Sequence, residues 1–386
     1  MRFFCVLIIC LLFITACADR DEADFAAQAV DDSEPEVIDP IRLRAAEIVF
    51  SMDDQLLVSQ LLISSVNGSE KLSDHTVKLL TEIPAGGVIL YRFNLDADND
   101  TIRGFISQIA SVIGEESGIP PFVTVDHEGG TVNRFRRGVA ALPDASSYWR
   151  LSLSEGWDYS FEKISADSLR AGREISELGF NMNFAPVAEH LIDENREFLA
   201  RRSYGPDPIF TARAATAFLQ GMEQSGILCV VKNFPGSAGK DPHYFSSVIN
   251  WNKTELDTLA APFRTLISNG ARAIMVAHTA VPAIDSEVAS LSPIVMQNWL
   301  RGELGFGGII ISDDFKMVAA GEKSRELAAV RSIVAGTDMV LVWPADLSRT
   351  HSAIISGLEN GQLSRDRLLD AAQRIIYEKL RMGILE

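Results

Sequence analysis

Short apolar runs that each stop at polar or charged residues recur along this chain, with segments of helical period between them. That pattern constrains the fold more than any other feature. The clearest run is GFGGIIISDDFKM, residues 305–317, where Ile309, Ile310 and Ile311 give way at once to Ser312, Asp313 and Asp314. A continuous apolar run of this kind reads as a strand buried on both faces of a parallel sheet. PFVTVDHEGG places Asp126 and Glu128 after Val123 and Val125. LGFNMNFAPVAEH places Asn183 and Glu189 around a strand-like core, and GILCVVKNFPG ends Leu228 to Val231 with Lys232 and Asn233. ARAIMVAH ends at His278, and GTDMVLVWP supplies Met339 to Val342. Gly86 to Tyr91 and the Leu57 to Ile63 region add two more runs. Ser168 to Leu178 and Glu326 to Ala335 show helical spacing between the runs. Strands alternating with helices indicate βαβ units. About eight of them predict an α/β fold, a (β/α)8 TIM-type barrel in one catalytic domain. Each polar cluster then falls at the carboxyl end of a strand, the face where barrels place their chemistry.

Carboxylates beside apolar surface are costly unless they do something. A helix N-cap could account for one of Asp313 and Asp314 but not for both. Asp241-Pro242-His243, taken alone, reads as a polar turn.

Taken together, VDHEGG, NFAPVAE, RRSYG, KNFPG, DPH and LRGELGFGGIIISDDFKM resemble, in consistent order over residues 45–386, the glycoside hydrolase family 3 β-N-acetylhexosaminidases. The chain ends 73 residues after Asp313 (386 − 313), so it resembles the one-domain branch of that family. The resemblance implies an exo-acting, retaining β-N-acetylglucosaminidase that needs no cofactor or metal. It would release terminal N-acetylglucosamine from peptidoglycan fragments or chitin-type oligosaccharides. Asp313 matches the nucleophile, which would form a covalent glycosyl-enzyme. Asp241 and His243 match the pair that replaces the usual carboxylic acid. His243 would protonate the leaving oxygen and later deprotonate water, with Asp241 orienting the imidazole and holding up its pKa. Asp126, Arg134, Arg202, Lys232 and Asn233 match positions that bind the sugar. Of Arg196, Arg201 and Arg202, one could be surface charge only. Glu128 is expected to be structural, holding the loop beside Gly129 and Gly130, and His127 to have no chemical role.

Four departures mark this chain. The family usually reads Lys-His-Phe-Pro-Gly-His-Gly where this sequence has Lys232-Asn233-Phe234-Pro235-Gly236-Ser237-Ala238. Asp-Pro-His stands for Asp-Ser-His, Thr131 for an arginine, and Glu189 for an aspartate. None removes the expected nucleophile or acid/base, but together they leave sugar choice open. Another exo-β-glycosidase, a glycoside phosphorylase on the same site, or a catalytically degenerate glycan-binding lipoprotein are the alternatives.

The N-terminus carries a separate expectation. Met1-Arg2 precede an apolar run from Phe3 to Ile14, then Thr15-Ala16-Cys17. That run is short for a membrane span and suits a signal-peptide core. Residues 1–16 are expected to be a lipoprotein signal and Cys17 the lipidated residue. Residues 17–40, acidic and poor in apolar side chains, would be a disordered tether, and 41–386 the hydrolase domain. The protein is then expected to be a lipid-anchored, extracytoplasmic monomer of a bacterial cell envelope, touching membrane only through its anchor. Of four cysteines, Cys5 and Cys10 would leave with the signal and only Cys229 would remain beyond Cys17. No intrachain disulfide is expected. Six histidines show no metal-ligand spacing, and a net charge of −17 argues against nucleic acid as a partner. Ser364 to Met382 has the spacing of a last helix packed on the barrel.

Overall fold

The computed structural model describes residues 39–317 and 324–386. The signal, Cys17 and nearly all of the expected tether lie outside the described residues. The folded unit runs from Asp39 to Glu386. Its first helix, Pro40–Ser51, opens where the sequence signals it: Pro40 is the first residue, and the Asp39 carboxylate accepts from the Ile41 N–H. Asp39 also accepts from the Tyr377 hydroxyl at 2.8 Å, which ties this start to the C-terminal helix.

Eight parallel strands form the sheet: β1 (Leu62–Ser65), β2 (Gly87–Leu90), β3 (Phe122–Val125), β4 (Met182–Asn183), β5 (Leu228–Phe234), β6 (Ala273–Val276), β7 (Ile309–Ser312) and β8 (Val340–Val342). Their spatial order is β7-β6-β5-β4-β3-β2-β1-β8. A parallel bridge between Ile311 and Met339 joins β7 to the segment entering β8, so the two ends of the sheet meet. All eight are buried along their length, as apolar strands enclosed by a ring of helices must be. The expected barrel is the observed fold.

One boundary differs. Leu57 to Ile63 reads as a strand, yet Asp54–Gln60 is helical and β1 starts at Leu62. The Asp53 side chain accepts from the Leu56 N–H and caps that helix, so a local hydrogen bond overrides the apolar content. The C-terminal helix spans Arg365–Arg381, with Ser364 as its N-cap.

Two small sheets ride on the carboxyl-terminal face. One is a hairpin, His127–Gly129 with Val132–Asn133, that extends from β3. Gly129 and Gly130 have φ of 101° and 54°, and a Cβ at either would collide with the 142–144 segment, so only glycine turns the chain here. The other sheet pairs Ser247–Val248, Thr279–Val281 and Asp285–Val288, closing the neck of the loop that leaves β5.

Candidate active site

A cavity of about 370 Å³ opens at the carboxyl ends of the strands. Its lining includes Asp126, Arg134, Arg202, Lys232, Asn233, His243 and Asp313. The structure therefore brings seven of the eight sequence-predicted barrel residues to one place. The eighth, Asp241, joins through His243: the His243 Nδ1 lies 2.6 Å from Asp241 Oδ1, which also accepts the His243 backbone N–H at 3.0 Å. These two bonds hold the Asp241 carboxyl below the usual carboxylate range, although partial burial acts the other way. The pair sits on an exposed loop, with 57% of the His243 side chain accessible.

The far wall is a network of buried ions. Lys232, at the end of β5, sends Nζ to Asp126 Oδ1 at 2.5 Å and to Glu128 Oε1 at 2.9 Å. Arg134, delivered by the hairpin, binds Asp126 Oδ2 at 2.7 Å. Arg202 grips Glu128 with two bonds, Nε to Oε2 at 2.8 Å and Nη2 to Oε1 at 2.9 Å. Burial alone would raise the Asp126 carboxyl, but the Lys232 and Arg134 charges overcome it and hold the group far below its ordinary value. Glu128 is likewise lowered, by Arg202 and Lys232 against its burial. Each buried carboxylate thus meets two cations and each cation meets at least one carboxylate, which is what makes charge tolerable here.

Glu128 is a correction. It does more than hold the glycine turn: it lines the cavity and fixes Arg202 and Lys232. Its two-residue spacing from Asp126 was the available signal, because alternate residues of an extended chain face the same way. Arg202 is the least exposed arginine of its cluster, whereas Arg196 and Arg201 are largely exposed.

Asp313 follows β7 directly, and its Oδ1 accepts the Asp314 N–H at 2.8 Å. Asp314 in turn accepts from the Trp343 indole N–H at 2.7 Å. Trp343 stacks on Tyr91 with ring centroids 5.2 Å apart, forming an aromatic wall. His278 contacts the Asp314 carbonyl through Nε2 at 3.2 Å and Ser290 Oγ through Nδ1 at 2.6 Å. A carbonyl only accepts, so the neutral ring carries its proton on Nε2 and Nδ1 accepts from Ser290. Burial pushes the His278 pKa down even with Asp313 nearby, which keeps the ring neutral. Tyr91, Trp343 and His278 were not singled out as site residues, yet each lies one or two positions past a barrel strand. Among the described residues, no group of His, Cys, Asp and Glu side chains is arranged to hold a metal ion.

A barrel that gathers a carboxylate, a carboxylate-oriented imidazole and a charged wall around one cavity has the makings of a glycoside hydrolase. The family follows: residues 53–377 match the profile described as glycosyl hydrolase family 3 N terminal domain, and the chain belongs to that family. A curated relative named beta-hexosaminidase, from Tolumonas auensis, is 33% identical over 79% of this chain and 88% of its own length. The structure of a glycoside hydrolase family 3 beta-N-acetylglucosaminidase from Paenibacillus sp. superposes with a TM-score of 0.81 at 29% identity, covering 86% of this chain and 63% of that longer one. The structure titled M tuberculosis LpqI gives a TM-score of 0.75 at 26% identity over 86% of this chain and 95% of that one.

Proposed function

We propose that this enzyme is an exo-acting, retaining β-N-acetylglucosaminidase. The observation that carries the reading is the convergence of Asp313, the Asp241–His243 pair and the Asp126–Lys232–Arg134–Arg202 wall on one cavity. The terminal sugar is held against the charged wall, whose remaining N–H donors and carboxylate lone pairs take its hydroxyls. Asp313 attacks the anomeric carbon while His243 gives its proton to the leaving oxygen, so the glycosidic bond breaks as the ester forms. His243, now neutral, takes a proton from water, and the resulting attack frees Asp313 with the anomeric configuration retained. The carboxylate of Asp241 steadies the imidazolium in both steps. Terminal N-acetylglucosamine on peptidoglycan fragments or chitin-type oligosaccharides is the substrate class, supported by the hexosaminidase names of the relatives.

The test is hydrolysis of an aryl N-acetyl-β-glucosaminide by the soluble form lacking residues 1–38, with and without inorganic phosphate. Product should form with retention and independently of phosphate. Asp313→Ala should lose about 10⁴-fold or more in kcat, and His243→Ala about 10²–10⁴-fold. Sugar binding without turnover by wild type would move the reading to a glycan-binding protein.

The apolar run Phe3 to Ile14 before Cys17 further supports a lipid-anchored protein of a bacterial cell envelope. Cys17→Ala should shift the protein from the membrane fraction to the soluble one. Unchanged partitioning would remove the anchor from the account.

A further inference from the structure

Glu189 lies past β4 with no exposed surface, behind the cavity wall. Its Oε1 accepts from Asn233 Nδ2 at 3.0 Å, and its Oε2 accepts from both the Ser237 N–H and the Ser237 hydroxyl at 2.6 Å. Asn233 and Ser237 line the cavity that Asp126 and Lys232 share. Three of the positions where this chain departs from its family's usual residues are therefore one hydrogen-bonded unit.

The polarity of that unit follows from its donors. A backbone N–H can only donate, so the Ser237 amide makes Glu189 its acceptor. Burial raises the Glu189 pKa against the Ser237 and Asn233 hydrogen bonds; in its ionised form the group can only accept, so it takes the nitrogen of the Asn233 carboxamide and not its oxygen. Nitrogen and oxygen sit on opposite branches of one planar group. With the nitrogen turned inward, the carbonyl oxygen is the atom presented to the cavity, on a wall otherwise rich in the N–H donors of Arg134, Arg202 and Lys232.

We infer that Glu189 is a specificity-determining positioning residue: it holds the Asn233 carboxamide with its carbonyl oxygen toward the ligand, so this wall selects a sugar hydroxyl that donates a hydrogen bond. The inference rests on the proposed sugar-binding role of the cavity and adds the polarity of one contact to it.

Glu189→Gln tests it with almost no change of shape. The Ser237 N–H still needs an oxygen, so the new amide turns its NH₂ toward Asn233, and Asn233 must flip to offer its oxygen in return. Its NH₂ then faces the cavity. In ¹⁵N-labelled protein at mildly alkaline pH, the Asn233 carboxamide protons, assigned by their loss in Asn233→Ala, should exchange slowly in wild type and at least about tenfold faster in Glu189→Gln, as expected once the bond to a buried acceptor is lost. Free exchange in wild type, or no change in the variant, overturns the inference. The second readout is binding and hydrolysis of an aryl N-acetyl-β-glucosaminide and its monofluoro analogues, in which fluorine replaces one donating sugar hydroxyl at a time. One analogue should bind wild type about 10–100-fold more weakly than the parent, the range for a buried acceptor left unpaired. That penalty should disappear in Glu189→Gln, with the loss in KM rather than kcat. An equal penalty in both proteins would make Glu189 merely structural. If wild type neither binds nor cleaves any of these sugars, the proposed function fails, while the exchange measurement still decides how Asn233 is held.

Discussion

The two ends of this barrel hold their buried charges in opposite ways. At the mouth, Asp126 and Glu128 share Lys232, Arg134 and Arg202 around an open cavity, and Asp126 keeps 10% of its side chain accessible. At the other end, Asp338 precedes β8 and has no accessible side chain. Its Oδ2 accepts from Arg301 at 2.7 Å and from the Ile310 N–H at 2.8 Å, and its Oδ1 from Arg367 at 2.8 Å. Arg374 approaches the same oxygen at 3.4 Å. That carboxylate ties the entries of β7 and β8 to the helix Ile294–Glu303 and to the C-terminal helix. Cations surround a buried aspartate at both ends, Lys232 and Arg134 at the mouth and Arg301, Arg367 and Arg374 at the other. The difference is the void beside the mouth cluster, and under the proposed function it separates charge kept for a ligand from charge kept for the fold.

The largest effects should divide along that line. Asp313→Asn should reduce kcat by about 10⁴-fold or more while the melting temperature stays near wild type, because Asp313 is only half-buried. Asp338→Ala should do the reverse, costing about 3–5 kcal/mol by leaving the part-buried Arg301 guanidinium without its carboxylate and the buried Ile310 N–H without its acceptor. Urea unfolding followed by activity per folded molecule separates the two. If Asp338→Ala lowered kcat/KM of the folded fraction as strongly as Asp313→Asn, the comparison would break.

Lys232→Met probes the mouth more finely. Wild-type Asp126 is held ionised far into acid by Lys232 and Arg134 against its burial. Under the proposed function its contribution to binding should therefore persist through the ordinary carboxylate range and be lost only in stronger acid. Removing Lys232 leaves burial less opposed, so the Asp126 pKa should rise. The acid limb of kcat/KM should then move to higher pH, together with about a 10²-fold loss at neutral pH from the missing charged hydrogen bond. An unmoved acid limb would mean that Arg134 alone suffices to hold Asp126.

Much of this arrangement was legible in the sequence, for a physical reason. Parallel barrel strands are buried on both faces, so they appear as short apolar runs whose ends can be read directly. The polar residue after each run then falls on the chemical face. That logic finds Asp126, Lys232, Asn233 and Asp313, and applied more strictly it would also have found Tyr91, His278 and Trp343. It says nothing about Arg134 or Arg202, which come from a hairpin and a loop and were reached only through family resemblance. Nor could it see the bond from Glu189 to Asn233 and Ser237, because residues 189, 233 and 237 meet only when β4 and β5 pair. The Leu57 to Ile63 boundary was misread because a short apolar run reads alike as a buried strand or a buried helix, and the capping Asp53 decides for the helix.

The smallest effect concerns the closed end again. Lys379, on the C-terminal helix, is fully buried with its Nζ 2.9 Å from Gln60 Oε1 and over the Phe122 ring at 5.3 Å. Among the described residues no carboxylate offsets it, and burial pushes its pKa down to about 7. The unfolded chain holds this proton up to about pH 10.4, so unfolding takes up a proton between those two values. Stability from this site should therefore rise with pH across that window and be lowest, and flat, below it. Lys379→Met should be more stable than wild type by about 1–3 kcal/mol below pH 7, once the lost bond to Gln60 is set against the removed desolvation penalty. That advantage should shrink to nothing towards pH 10. A variant less stable than wild type at every pH would show that the amine, like the arginines around Asp338, is a working part of the closed end and not a tolerated charge.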